Sequence, residues 1–137
     1  MSIWNLAELF EATAAAIPDR LAVSSAGGDR TYRELDDAAS AFASHLIDDG
    51  VSSGDRLAIL SWNRVEWLEA MLGCFKASVV PVNVNYRYVD EELRYILDDA
   101  DAVGIVGEAD FVDMVRRVRP SLPLLTRTIV LDPVSEA

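Results

Sequence analysis

Polar and aromatic side chains that could bind a ligand concentrate in one short segment, Asn83-Val84-Asn85-Tyr86-Arg87-Tyr88. The segment offers amides, phenol rings and one guanidinium, whose fork can hold an anionic oxygen by paired hydrogen bonds. A second candidate is Trp62, whose large ring is suited to line a tunnel for an apolar ligand. We therefore take Trp62, Asn83, Asn85 and Arg87 as the candidate residues on the ligand side of the fold.

A competing interpretation gives the same residues structural roles. In it, Arg87 pairs with Asp90 or Glu91, while the two tyrosines of the segment cover the edge of the hydrophobic core. Trp62 would be an ordinary core residue, because large aromatic side chains beside a buried helix usually are. Both interpretations stay open at this point, and the structural one is the commoner outcome.

Catalytic and metal centres of familiar types are not predicted in this sequence. The only adjacent glycines, Gly27-Gly28, are not followed by the lysine and hydroxyl residue of a phosphate-binding loop. His45 is the only histidine, so it has no second histidine with which to share a metal or a proton relay. Cys74 is the only cysteine, and an apolar helix around it would make its thiol unreactive. We predict no catalytic, nucleotide-binding or metal-binding residue.

Hydrophobic periodicity predicts the elements that position these side chains. An opening helix begins at an Asn5 cap and ends at Pro18, and strands at 21–25 and 30–32 form a small hairpin. Helices and strands then alternate, which is typical of an α/β fold with a parallel sheet and flanking helices. The later strands are predicted at 56–61, 79–84, 102–106 and 128–131. The later helices are predicted at 64–77, 90–99 and 111–118, after a helix whose apolar stripe runs from Leu35 to Leu46.

Three loops are expected on the ligand side, because ligands of open α/β sheets bind beyond the carboxyl ends of the strands. These loops are 61–63, 83–88 and 107–109. Pro81 removes one donor from its strand, so this strand is expected at a sheet edge or a bulge.

Capping residues mark the ends of the helices. Thr31 and Glu34 form a capping pair, and Gly50 suits the left-handed position that closes the same helix. Asn63 is the predicted cap of the third helix, which is expected to be mostly buried.

Length and composition fit one globular domain, 1–137, with an opening helix and hairpin at 1–33, an alternating core at 34–132 and a truncated tail at 133–137. The 12 basic and 23 acidic residues give a net charge of −11, so most of the surface would repel a phosphate backbone and nucleic acid is not expected as a partner. A single cysteine and the lack of a signal-peptide or membrane-spanning stretch indicate the cytoplasm.

A series of short segments, spread from Asn5 to about Asp132, forms a recognisable pattern. The segments are 17–20, 30–35, 50–56, Asn63 with Glu66, Gly73, Lys76-Ala77, 80–83, Arg87 and 92–97. Together they resemble the adenylate-forming (AMP-binding) ligases, and 85–89 looks most like the N-terminal part of a bacterial fatty-acyl-CoA synthetase. Two residues depart from the family pattern. Ser78 replaces a common glycine, and Val89 replaces a capping serine or threonine, so we expect Asp90 to cap the next helix.

The resemblance implies the N-terminal subdomain of the acyl-CoA synthetase fold. Such enzymes use MgATP to convert a carboxylic acid to an acyl-adenylate, from which the thiol of coenzyme A displaces AMP. ATP, Mg and coenzyme A are thus implied for a full-length enzyme, and none should be bound fully by this chain, which we expect to be inactive alone. The implied partners are the rest of the synthetase chain, the fatty acid and, in a homodimer, a second copy.

Two other classes of protein remain open. One is a free-standing α/β interaction or regulatory module without catalysis, which would present its acidic face to a basic partner. The other is a flavodoxin-like or receiver domain, which needs a phosphate-binding loop or clustered acids at the strand ends. Ser61, Val84 and Gly107 supply neither of these features.

Overall fold

The computed structural model describes residues 5–131, which form two compact units. One unit contains residues 5–53 and 64–79, and the other contains residues 54–63 and 80–131. The predicted tail at 133–137 lies outside the described residues. None of the helices within 5–131 combines the length and the apolar character that a membrane span requires.

The first unit contains three helices and a hairpin. Its elements are α1 (Leu6–Ala16), β1 (Leu21–Val23), β2 (Arg30–Thr31), α2 (Tyr32–Asp48) and α3 (Val65–Lys76). The strands β1 and β2 pair antiparallel, so the predicted hairpin is confirmed, with β1 shorter than expected. Helices α2 and α3 pack closely at Gly73, where a Cβ atom would lie 2.9 Å from the carbonyl oxygen of Ala39. None of the residues of α3 is exposed, which confirms the prediction of a mostly buried helix.

Two of the predicted caps of this unit are confirmed. Asn5 Oδ1 accepts a hydrogen bond from the Glu8 N–H group (2.9 Å). Thr31 Oγ1 accepts from the Glu34 N–H group (3.2 Å), and the Glu34 carboxylate accepts from the Thr31 N–H group (3.0 Å). These reciprocal bonds satisfy backbone donors that a helix start leaves unpaired.

The predicted Asn63 cap is wrong. Helix α3 begins at Val65, its N-cap is Arg64, and no side chain caps it. Arg64 has extended backbone and its guanidinium pairs with Glu66 at 2.7 Å. Asn63 lies one residue too early, because the turn that leaves the preceding strand continues through Arg64.

The second unit is built on a four-stranded parallel sheet. Its elements are β3 (Arg56–Leu60), β4 (Val80–Asn83), α4 (Asp90–Asp99), β5 (Gly104–Glu108), α5 (Val112–Val118) and β6 (Arg127–Leu131), with short 3-10 turns at Ala109–Phe111 and Arg119–Ser121. The strand order is β4-β3-β5-β6, and all neighbours are parallel. The predicted parallel α/β fold is therefore confirmed, and so is the edge position of the strand that contains Pro81.

The core of this unit joins the sheet to α4 and α5. It includes Ala58, Leu60, Leu93, Leu97, Ile105, Val115 and Val118. Residues of β3 that alternate with these, Leu57 and Ile59, are at most 1% exposed. Because side chains of both faces of β3 are buried, this strand needs a continuous apolar run rather than an alternating one.

Two predictions at α4 and β5 are wrong. The strand expected at 102–106 is Gly104–Glu108, because the Ala102 N–H group closes the end of α4 by donating to the Leu97 carbonyl (3.1 Å). The predicted loop 107–109 therefore begins inside the strand. Asp90 is not the cap of α4 but its first residue; the N-cap is Val89, whose N–H group donates to the Glu92 carboxylate (3.0 Å).

Candidate functional site

The loops that follow β3, β4 and β5 all leave the sheet on the side where the carboxyl ends of the strands lie, which we call the ligand edge. In the parallel register, Ile59 is paired with Asn83, and Leu60 is paired with Gly107. The residues after these pairs therefore start from neighbouring positions at the carboxyl ends of the strands, where ligands of open α/β sheets bind.

Three aromatic rings meet at this edge. The centre of the Trp62 ring lies 4.7 Å from that of Tyr86 and 5.1 Å from that of Phe111, with tilted planes. We call Trp62, Tyr86 and Phe111 the aromatic cluster. Trp62 is 41% exposed, so the cluster presents an apolar surface to solvent instead of being enclosed in the core.

The loop after β4 is shaped by its own side chains. Asn85 Oδ1 accepts a hydrogen bond from the Arg87 N–H group (2.9 Å), and the Asn85 carbonyl accepts from the Tyr88 N–H group (3.0 Å). Asn85 therefore holds a turn, a common role for asparagine. Arg87 is exposed, and its guanidinium carbon lies 5.8 Å from the centre of the Tyr86 ring, within the range of a cation–π contact.

The predicted pairing of Arg87 with Asp90 or Glu91 is wrong. Both Asp90 oxygens accept from Arg117, at 2.6 and 3.0 Å, and Glu91 pairs with Arg94 at 3.2 Å. The Arg117 guanidinium holds the pKa of the Asp90 carboxyl below its usual value. Within residues 5–131, the Arg87 side chain makes no ion pair, so its charge faces solvent beside the aromatic cluster.

The structural interpretation is wrong for Trp62, which at 41% exposed is not an ordinary core residue, and it is confirmed for the two tyrosines. Tyr86 and Tyr88 are half-buried and pack against the core of the second unit. Asn83 is exposed and is the last residue of β4. Of the four predicted candidates, the structure thus brings Trp62 and Arg87 close to one ring, that of Tyr86, while Asn85 shapes the loop that carries Arg87.

A buried polar pair lies below the cluster and was not predicted as part of the site. Ser61 Oγ is 2.9 Å from Glu108 Oε1, and both residues are almost completely buried. Phe111 was also missed as a site residue, since its helical spacing assigned it to α5. The sequence did contain a signal for the buried pair: Glu108 is an acidic residue at the end of the otherwise uncharged strand β5.

The remaining candidate groups lie elsewhere. His45 is exposed on α2, as predicted. Cys74 is buried, and burial raises the pKa of its thiol to about 12, so it is not a thiolate at neutral pH. Across residues 5–131, no group of three or more His, Cys, Asp or Glu side chains is placed to bind a metal ion.

The fold matches that of N-terminal domains of acyl-CoA ligases. The N-terminal domain of FACL13 from Mycobacterium tuberculosis superposes with a TM-score of 0.89 at 24% identity, over 98% of this chain and 36% of that domain. A Mycobacterium tuberculosis fatty acyl CoA synthetase gives a TM-score of 0.87 at 26% identity, over 96% of this chain and 27% of that enzyme.

The chain belongs to the AMP-binding enzyme family, whose profile matches residues 10–137. A medium/long-chain-fatty-acid–CoA/3-oxocholest-4-en-26-oate–CoA ligase of Mycobacterium tuberculosis is 42% identical over 132 residues, which are 96% of this chain and 24% of the relative. A 3-oxocholest-4-en-26-oate–CoA ligase of Rhodococcus rhodochrous is 40% identical over 128 residues, 93% of this chain and 23% of the relative. The chain therefore spans about a quarter of the length of the curated relatives it matches.

Proposed function

We propose that this chain supplies the N-terminal part of an ATP-dependent fatty-acyl-CoA ligase. The observation that carries the proposal is the 42% identity to a medium/long-chain-fatty-acid–CoA ligase over 96% of the chain. The reaction joins a carboxylic acid to coenzyme A through an acyl-adenylate, with AMP and pyrophosphate as products. The partners of the chain are then the rest of the synthetase and its fatty acid, in the cytoplasm.

The proposed contribution of this chain to binding is the edge that carries the aromatic cluster. The exposed face of Trp62 is suited to the apolar part of an acid, since burying such surface against a hydrocarbon chain is favourable. Arg87, whose guanidinium lies 5.8 Å from the centre of the Tyr86 ring, is proposed to hold an anionic oxygen of the bound substrate. Asn85 holds the backbone of Arg87 in the turn through its side-chain hydrogen bond, and Asn83 ends the strand that precedes this turn.

No residue of this chain is assigned to the nucleotide phosphates or to Mg²⁺. The sequence has no glycine-rich phosphate loop, and residues 5–131 hold no group of side chains that fits a metal ion. We therefore expect that the chain alone does not catalyse acid-dependent exchange of labelled pyrophosphate into ATP. Clear exchange by the purified chain would contradict this expectation.

A chimera tests the proposal directly. The chain replaces the matching N-terminal quarter of the Mycobacterium tuberculosis relative, and pyrophosphate exchange is measured with fatty acids of increasing length. We expect the chimera to be active, because the replaced region is 42% identical and keeps the fold. A folded chimera without exchange activity for any acid would overturn the assignment.

Two substitutions in the chimera test the proposed edge. Trp62→Ala and Arg87→Met should each raise the KM for the acid by about tenfold, the effect of losing roughly 1.4 kcal/mol of binding. Arg116→Met is the matched control, since Arg116 is an exposed arginine of α5 that pairs with Asp113 one turn away on the same helix. An unchanged KM in both test variants would remove this edge from the substrate site and leave the ligase assignment intact.

A further inference from the structure

Among residues 5–131, only two polar or charged residues are buried, and they are hydrogen-bonded to each other. Ser61 is 3% exposed and Glu108 is 6% exposed, with Ser61 Oγ 2.9 Å from Glu108 Oε1. Burying a carboxyl group is unfavourable, and an apolar pair of similar volume often gives equal or greater stability. A buried polar pair at the ligand edge of a sheet therefore points to a demand for a defined geometry at this place.

The pair joins the exits of two neighbouring strands. Ser61 directly follows β3, Glu108 is the last residue of β5, and the preceding residues Leu60 and Gly107 are paired in register. The strands approach closely there, since a Cβ atom on Gly107 would lie 2.2 Å from the Leu60 carbonyl oxygen. Ser61 Oγ is also 2.9 Å from the Trp62 carbonyl oxygen, so its single hydroxyl proton is shared between this carbonyl and the Glu108 carboxylate, and the hydroxyl lies between the Trp62 backbone and the end of β5.

Both segments fixed by this pair carry rings of the aromatic cluster. Trp62 follows Ser61, and Phe111 lies three residues after Glu108, at the end of the 3-10 turn Ala109–Phe111. The two rings contact each other at 5.1 Å between centres. A displacement of Ser61 relative to Glu108 would therefore change the angle and separation of the rings, and with them the apolar surface that Trp62 presents.

We propose that Ser61 and Glu108 are positioning residues that hold Trp62 in the aromatic cluster and so define the surface available to the apolar part of the acid. The role of the acid rests on the function proposed above, whereas the positioning of Trp62 does not. A purely stabilising pair would affect the free energy of unfolding without changing the environment of the Trp62 ring in the folded chain.

Time-resolved fluorescence of Trp62 distinguishes these two roles. Trp4→Phe and Trp67→Phe leave Trp62 as the only tryptophan of the 137-residue chain. In this background Ser61→Ala should enlarge the population of displaced, solvent-exposed Trp62 by about fivefold, the factor equivalent to one net hydrogen bond. Ser121→Ala is the matched control, because it also removes a serine-to-carbonyl hydrogen bond of the second unit, to Val118. The control should leave the Trp62 lifetimes unchanged.

Two variants of Glu108 complete the test. Glu108→Ala should reproduce the Ser61→Ala signal, whereas Glu108→Gln should preserve the parental lifetimes, because an amide oxygen still accepts from the Ser61 hydroxyl. If Glu108→Ala does not fold, Ser61→Ala and Glu108→Gln decide the outcome. Unchanged lifetimes in Ser61→Ala, or a Glu108→Gln variant as perturbed as Ser61→Ala, would overturn the inference. An inactive chimera with the expected lifetimes would overturn only the proposed function.

Discussion

Lys76, on α3, forms ion pairs with residues of α1 and α2. Its ammonium group lies 2.8 Å from Glu11 of α1 and 2.7 Å from Asp36 of α2, and its side chain is only 9% exposed. Lys76→Met keeps most of the side-chain volume but leaves two carboxylates near each other without their cation. We expect the free energy of unfolding, measured by urea denaturation, to fall by about 2 kcal/mol, between the values for exposed and buried pairs.

The dependence of stability on alkaline pH checks the same two ion pairs of Lys76. Burial by itself lowers the pKa of Lys76, but the hydrogen bonds to Asp36 and Glu11 outweigh it and raise the pKa above the usual 10.5. A raised folded pKa contributes stability below the unfolded pKa, and this contribution is lost as the pH rises through the folded pKa. The stability difference between the parent and Lys76→Met should therefore be constant near neutral pH and shrink above about pH 10.5. A difference that stays constant there would contradict the assignment.

Individual side-chain partners were harder to predict than residue types. The sequence places Arg87 within a few residues of Asp90 and Glu91, yet those carboxylates pair with Arg117 and Arg94. Arg117 lies on a different helix, so its approach depends on how α4 and α5 pack, which periodicity does not specify. Trp62 could be named from its position after a strand, but its contact with Phe111 depends on the 3-10 turn that precedes α5.

Three helices end in the same hydrogen-bonded motif with different residues at its left-handed position. The position is occupied by Gly50 after α2, Ser78 after α3 and Asp101 after α4, with φ values of 86°, 59° and 51°. In each case the N–H group of the following residue donates to a carbonyl five residues earlier, as Val79 does to Cys74 at 2.9 Å. The motif favours glycine, because a Cβ atom is strained at positive φ.

Exchanging residues at these positions should change stability in opposite directions. Ser78→Gly should raise the free energy of unfolding by about 0.5–1 kcal/mol, and Gly50→Ser should lower it by a similar amount. Ser78→Ala is the control, because alanine retains the Cβ atom and should bring no gain. Guanidinium titrations of the three variants measure the differences. A Ser78→Gly chain less stable than the Ser78→Ala chain would show that the serine hydroxyl, not the backbone, determines this position.

Strand β5 depends on glycine for a different reason. A Cβ atom on Gly107 would lie 2.2 Å from the Leu60 carbonyl oxygen, which belongs to the backbone of the paired strand and cannot rotate away. Gly107→Ala should therefore lower the unfolding free energy by at least about 3 kcal/mol and weaken the cooperativity of unfolding. Gly27→Ala makes the same chemical change where the nearest heavy atom is 3.9 Å away, and it should be nearly neutral. Equal effects of the two substitutions in thermal melts would show that steric contact with Leu60 is not what requires glycine at position 107.

The helix starts show which element boundaries local sequence can determine. The Asn5 and Thr31 caps were predictable because the donor and acceptor are three residues apart in sequence. Asn63 has the same spacing to Glu66, but the chain leaving β3 uses one more residue before α3 begins. Similarly, Ala102 closes the end of α4, so β5 begins at Gly104 and not at Ala102 as predicted. Some element boundaries depend on how many residues the chain needs to pass from one element to the next. The hydrophobic and capping patterns of the sequence do not contain that information, so they misplace these boundaries.

At the scale of the whole molecule, alternation of helices and strands was sufficient to predict a parallel sheet, including the edge position of Pro81. The strand order was not predictable, because right-handed crossovers allow several orders for four parallel strands. The order β4-β3-β5-β6 matters for function, since it brings the exit of β3 between those of β4 and β5. The aromatic cluster and the Ser61–Glu108 pair both follow from that order.

The outer position of β6 in the sheet leads to a prediction about self-association of the chain. Within residues 5–131, β6 pairs only with β5, and Val130 on it is 49% exposed. A strand edge of this kind can pair with a second copy, so sedimentation velocity should show concentration-dependent association. The net charge of −11 opposes that association, so added salt should strengthen it by screening the repulsion.

A lysine on the edge strand tests whether β6 is responsible for the association. Val130→Lys should weaken the association by about tenfold, because a charged side chain on an edge strand disfavours pairing with another strand. Leu124→Lys is the matched control, as it also replaces an exposed apolar residue, 53% exposed, with a lysine, but in a turn outside the sheet. Equal weakening by both variants would assign the association to charge or general hydrophobicity, and a monomer at every concentration and salt level would refute edge pairing of β6 altogether.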